Sequence, residues 1–162
     1  MFVFRPRTFL FAVALSVAPV QAEPLLEGCD DLSSVPLNVN VDYDTQIQPL
    51  FSGCVSCHNS GDPRADLNLE PGVAPATLIY VASAQNGNVI RVLPSEPKHS
   101  LLFQKVNCEI QDTGFFRMPV GGILSLQEQA LIYDWIEQGA RAFFFGDPLS
   151  DVVFRDAFES ER

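Results

Sequence analysis

Basic residues are scarce in this sequence: ten Lys and Arg stand against twenty Asp and Glu, and the ten form no cluster. That balance argues against a nucleic-acid or anionic-membrane partner and favours a basic partner or plain solubility. Beyond the first twenty or so residues no apolar run approaches the roughly 20 residues that a bilayer span requires. Internal repeats, low-complexity stretches and a second domain are also missing. Histidine occurs only twice, and methionine only twice, one of them Met1.

The N-terminus departs from this pattern. Arg5 and Arg7 precede an apolar run from Thr8 to Ala18, and Val20-Gln21-Ala22 matches the small-residue site of an export signal. The run is too short for a membrane anchor. Residues 1–22 therefore read as a signal peptide cleaved after Ala22, which directs the chain to the periplasm or beyond. Of 162 residues, removal of 22 leaves 140, one ordinary domain, with eight basic residues against twenty acidic ones and a net charge of −12.

Four cysteines sit at 29, 54, 57 and 108. In an exported chain disulfides persist, so Cys29 and Cys108, far apart and outside any short motif, read as a structural disulfide, with two unpaired thiols as the alternative. Leu26-Glu27-Gly28-Cys29 is a faint lipoprotein signal, separated from the apolar run by polar residues and Pro24.

The organisation is helical. Residues 23–40 hold Pro24, Gly28 and Pro36 and read as an arm leading into the domain. Tyr43, Ile47, Leu50 and Phe51 fall at helical spacing after the cap candidate Asp42, with Pro49 distorting the last turn. Ala74 to Ala82 predicts a short helix, Val89 to Leu93 an extended stretch, and Pro97 opens a helix ending near Asn107. Residues 107–122 read as loop. Ser125 and Glu128 form a capping box for a helix to Gln138, with Gly139 as its left-handed cap. Its apolar face comprises Leu126, Ala130, Tyr133 and Ile136, flanked by Leu131, Ile132 and Trp135.

Cys54-Val55-Ser56-Cys57-His58 is the attachment pattern of a c-type haem. Two thiols add across the two porphyrin vinyl groups, two spacers let one turn of chain reach both, and the adjacent histidine is held under the iron as proximal ligand. A thiol redox site would need a strand-to-helix setting in an alternating pattern, and a zinc site a second Cys or His pair, which Cys29, Cys108 and His99 do not supply. The distal candidate is Met118, in the loop Arg117-Met118-Pro119-Val120-Gly121-Gly122, where a thioether can swing onto iron; a core-filling role is the alternative. His99 is a rival ligand, although a solvated histidine is the commoner outcome beside Lys98 and Ser100.

These residues resemble class I cytochromes c, and more closely the secreted bacterial planctomycete-type cytochrome c domains. The matching pieces are Ile47-Gln48-Pro49-Leu50-Phe51 before Cys54-Val55-Ser56-Cys57-His58, then Leu67-Asn68-Leu69, Val92-Leu93-Pro94 with Ser100-Leu101-Leu102, Arg117-Met118-Pro119, and Trp135-Ile136-Glu137-Gln138-Gly139-Ala140. The resemblance covers roughly residues 41–141. It implies an all-α fold of about four short helices and long loops around one covalent haem c, with the first and last helices crossing so that Ile47 and Phe51 meet Tyr133 and Ile136. It also implies His58 as proximal and Met118 as distal ligand, and a one-electron carrier with a redox partner protein, one with a basic docking surface suiting the acidic chain. A haem enzyme or gas sensor with an open sixth position, and a structural domain with an inert haem, are the other readings. Departures lie in the arm with Cys29, the loop with Cys108, and the tail, residues 142–162. The tail's acidic-aromatic ending, Asp151 to Arg162, is similar to endings of assorted secreted bacterial proteins and suggests sorting or docking, against a segment simply packed on the domain.

Overall fold

A computed structural model describes residues 28–109 and 116–142. The expected signal peptide and nearly all of the tail lie outside these residues. The described chain is helical, with isolated bridges and no sheet, which is compatible with an all-α fold.

The first helical segment is one continuous rod of two pitches. Asp42 caps it, its carboxylate accepting from the Thr45 amide at 2.9 Å. A π-helical turn, Tyr43–Ile47, passes directly into a tight 3-10 stretch, Gln48–Ser56. Pro49 lacks an amide proton, so regular α-helical bonding cannot continue through it. Tyr43, Ile47 and Phe51, spaced by four, are buried on one face. The segment runs further than its apolar spacing predicts, carrying Cys54 within it.

Helix α1, Ala74–Leu78, is shorter than expected. The chain turns at Tyr80, whose φ is +57°, and residues 80–83 pair with 89–92 instead, Arg91 donating its amide to Val81 and Ser83 to Val89, both at 2.8 Å. The predicted extended stretch supplies this partner and ends the helix. The helix opened by Pro97 is also interrupted: a 3-10 turn, Pro97–His99, stops at Ser100, and α2 follows at Leu101–Asn107. Ser100 is fully buried, and its hydroxyl accepts from the Leu93 amide at 2.9 Å while donating to a nearby carbonyl, which fixes the break.

Helix α3, Leu126–Glu137, has the capping box of Ser125 and Glu128, and Gly139 closes it at φ +94°. Its buried face differs from the apolar pattern. Ala130, Ile132, Trp135 and Ile136 are buried as expected, but Leu126 is exposed, Tyr133 and Leu131 are only half-buried, and Gln129 and Asp134 are buried in their place. The arm explains the exchange. Asn38 donates its amide and its Nδ2 to Asp134 Oδ2 at 2.7 and 2.8 Å, and Gln138 accepts from Val41 and donates to Asn38. The buried polar groups of α3 thus find partners in the arm, as burial demands.

Tyr43 stacks at a tilt on Trp135, ring centres 5.3 Å apart, so the first and last helical segments do meet. Ile47, Phe51 and Ile136 share that core, while Tyr133 lies edge-on to Phe103 of α2 at 5.1 Å. Trp135 donates from its indole to the Arg141 carbonyl at 2.9 Å, satisfying the one polar atom it buries. Cys29 and Cys108 form a disulfide, 79 residues apart in sequence, pinning the arm to the end of α2.

Candidate functional site

Cys54, Cys57 and His58 stand on one turn at the end of the first helical segment. The amides of Cys57 and His58 both reach the Cys54 carbonyl, at 3.1 and 3.0 Å. Cys54 and Val55 touch the core, and the two cysteines are unpaired and half-buried. Burial pushes the Cys54 thiol above its usual pKa, and neighbouring Cys57 adds to this. A thiol redox centre needs the opposite, a lowered thiol that reacts as thiolate. Among the described residues no three His, Cys, Asp or Glu side chains converge to hold a metal ion.

The loop after His58 orients its ring. Asn59 accepts from the amides of Gly61 and Asp62 at 2.8 and 2.9 Å and donates to the Val55 carbonyl at 2.7 Å, closing a tight turn. The Leu69 amide bonds the His58 carbonyl at 2.9 Å. His58 Nδ1 lies 3.0 Å from the Arg64 carbonyl oxygen. A carbonyl only accepts, so Nδ1 carries the proton and the lone pair of Nε2 remains for a metal.

Sequence reasoning missed the support behind this contact. Ala65 and Asp66 both adopt positive φ, +59° and +54°, a conformation costly for side-chain-bearing residues. Arg91, buried at 7% exposure, donates to Ala65 O at 2.8 Å and to Thr77 O at 2.7 Å, bracing the loop against α1. An arginine in an apolar-flanked stretch gives no such signal in the sequence, because both its acceptors are backbone oxygens.

Met118 belongs to a different part of the fold. Its amide donates to Lys105 O of α2 at 2.7 Å, and Arg117 Nε to Val106 O at 3.1 Å. Met118 is half-buried, and its loop presents apolar surface outward: Phe116 is 78% exposed, Val120 80% and Ile123 66%. Leu124, at the end of that loop, packs on the core that Cys54 and Val55 also touch. The structure thus brings Cys54, Cys57 and His58 together and holds Met118 separately, on α2. His99 is exposed on the surface, its Nδ1 3.1 Å from Glu96 Oε2.

The residues fit a covalent haem. Two unpaired thiols, one imidazole with its Nδ1 occupied and Nε2 free, and one thioether are the donor set that such a group requires. Phe51, Leu101, Phe103 and Trp135 are buried, and Leu102 is half-buried. No family model, curated protein or solved structure matches the chain.

Proposed function

We propose that the chain is a mono-haem c-type cytochrome, a one-electron carrier exported to the periplasm or extracellular space. Cys54 and Cys57 would hold the haem through thioether bonds, with His58 Nε2 and the Met118 sulfur ligating its iron. When bound, the group would supply a single iron that gains or loses one electron, and ligation by a thioether and an imidazole would give it a higher potential than ligation by two imidazoles. The observation that carries this reading is the His58–Arg64 contact: it fixes the tautomer and leaves the metal-binding nitrogen free, one residue beyond the paired thiols.

The chain's own residues do the rest. The Asn59 turn and the Arg91 brace hold the imidazole plane, which limits the rearrangement that a change of charge at the iron would require. Phe116, Val120 and Ile123 offer exposed apolar surface on the loop that carries Met118. An acidic chain, −12 after loss of the leader, suits a redox partner with a basic docking face. His99, exposed on the surface with its Nδ1 3.1 Å from Glu96 Oε2, is the rival distal ligand.

The test is spectroscopic, on the full-length protein matured with haem. Ferric wild type is expected to show the iron-to-methionine charge-transfer band and ferrous wild type to bind carbon monoxide slowly, and Met118→Ala to lose the band and bind the gas readily. A wild type that lacks the band and binds carbon monoxide at once would overturn the carrier reading in favour of a haem enzyme or gas sensor.

A further inference from the structure

Arg117 precedes Met118 and is the only side chain of that loop seen tying it down among the described residues. Its side chain is 8% exposed, and three elements converge on it. Nε donates to Val106 O of α2, and the guanidinium pairs through both terminal nitrogens with the Asp30 carboxylate of the arm. That carboxylate also accepts from Gln129 Nε2 of α3 at 2.8 Å, and Gln129 in turn accepts from Asn107 Nδ2 at 2.9 Å. Glu109, more exposed, stands 4.0 Å from Arg117.

Asp30 is itself immobilised. Its amide donates to Asn107 O at 3.1 Å, Asn107 Nδ2 returns a bond to Asp30 O, and the preceding residue is Cys29, bonded to Cys108. Without this carboxylate, Arg117 would keep a buried charge with too few acceptors, and the readiest relief is for the loop to swing out and hydrate it. Among the described residues, the loop is also held by the Met118–Lys105 backbone bond, a contact of Lys105 Nζ with Phe116 O at 3.4 Å and a turn from Gly122 to Pro119.

We propose that Asp30, fixed by the Cys29–Cys108 disulfide, is a positioning residue for Met118, holding the methionine's loop on α2 through Arg117 and so keeping the sixth iron position closed. This rests on the carrier reading above, in which Met118 is the distal ligand. Its consequence is that closure depends on an arm lying 87 residues away in sequence from the loop it controls.

The experiment compares full-length, haem-matured wild type with Asp30→Asn, Asp30→Glu and Arg117→Lys, reading the ferric charge-transfer band and the rate of carbon monoxide binding to the ferrous form. Helical circular dichroism and covalently retained haem identify the variants that fold. Asp30→Asn and Arg117→Lys are expected to weaken the band and bind the gas about tenfold faster or more, with Asp30→Glu partly restoring both. A closed wild type with Asp30→Asn and Arg117→Lys equally closed overturns the positioning role and leaves Met118 as ligand. An open wild type overturns the ligand assignment and the positioning role together. If Asp30→Asn does not fold, Arg117→Lys, which keeps the charge but loses the two-pronged geometry, decides alone.

Discussion

His58 donates from Nδ1 to the main-chain oxygen of Arg64 at 3.0 Å, so the direction of its free nitrogen is set by backbone six residues further on. That backbone is held in turn by Arg91 through the carbonyl of Ala65. The imidazole is therefore oriented by a backbone oxygen of a loop that the Asn59 side chain closes and Arg91 braces.

The attachment site is tested by chemistry. Replacing Cys54 and Cys57 by Ala is expected to leave no haem on the polypeptide after acid-acetone extraction, while wild type retains all of it. Retained haem in the double variant would mean that attachment lies elsewhere.

Asn59→Ala removes the acceptor for two amides and the donor to Val55 O. Loss of these bonds at a half-buried side chain is expected to cost about 1–2 kcal/mol, read as a lower urea midpoint with unchanged slope. Because the turn sits between Cys57 and the Arg64 carbonyl, the variant should also shift the reduction potential; a stability change without a potential shift would detach the turn from the iron.

Burial and capping separate by magnitude. Ile47 is fully buried against the core, so Ile47→Ala is expected to destabilise by roughly 2–5 kcal/mol. Ser125→Ala, which deletes one half of an exposed capping box, should cost about 1 kcal/mol. Equal losses in urea unfolding would contradict the burial assigned here.

Acid should act through Asp30. Its hydrogen bond to Arg117 is the largest influence and holds its carboxyl below the usual range, outweighing the opposing effect of burial, with Gln129 also lowering it. A carboxylate more acidic folded than unfolded stabilises the protein above its unfolded pKa, and that contribution is lost as pH falls through the depressed folded value. Wild type should lose stability as pH falls from the ordinary carboxylate range, and Asp30→Asn should show a shallower loss over the same interval. Identical pH profiles of urea midpoints would contradict this.

What could be read from the sequence was local. Asp42, the pair Ser125 and Glu128, and Gly139 act within one helical turn, and the structure has each in its cap. The Cys54–His58 motif is equally local, and its three residues share one turn. Non-local pairing escaped. Leu126 fits the apolar periodicity of α3 but is exposed, while Gln129 and Asp134 are buried because the arm brings Asp30 and Asn38 to them. No periodicity records partners 96 and 99 residues apart. Ser100 breaks the helix opened by Pro97 because its hydroxyl reaches Leu93, and α1 ends early because residues 89–92 compete for the backbone after Leu78. The cysteine pairing at 29 and 108 was open to reading only because two cysteines remained once the motif had claimed the other two.

The same cystine divides the polypeptide topologically. Residues 29–108 form a covalent macrocycle containing Cys54, Cys57 and His58, whereas Met118 and all of α3 lie outside it. A protease nick anywhere within the macrocycle leaves its pieces joined under oxidising conditions. A nick between Glu109 and Arg117 instead yields two polypeptides joined by no covalent bond of the chain itself, one bearing the thiols and imidazole and the other the thioether. The proposed distal ligand would then be a detachable half-molecule, held to the half that bears the thiols by packing, hydrogen bonds and the pairing of Arg117 with Asp30 and Glu109.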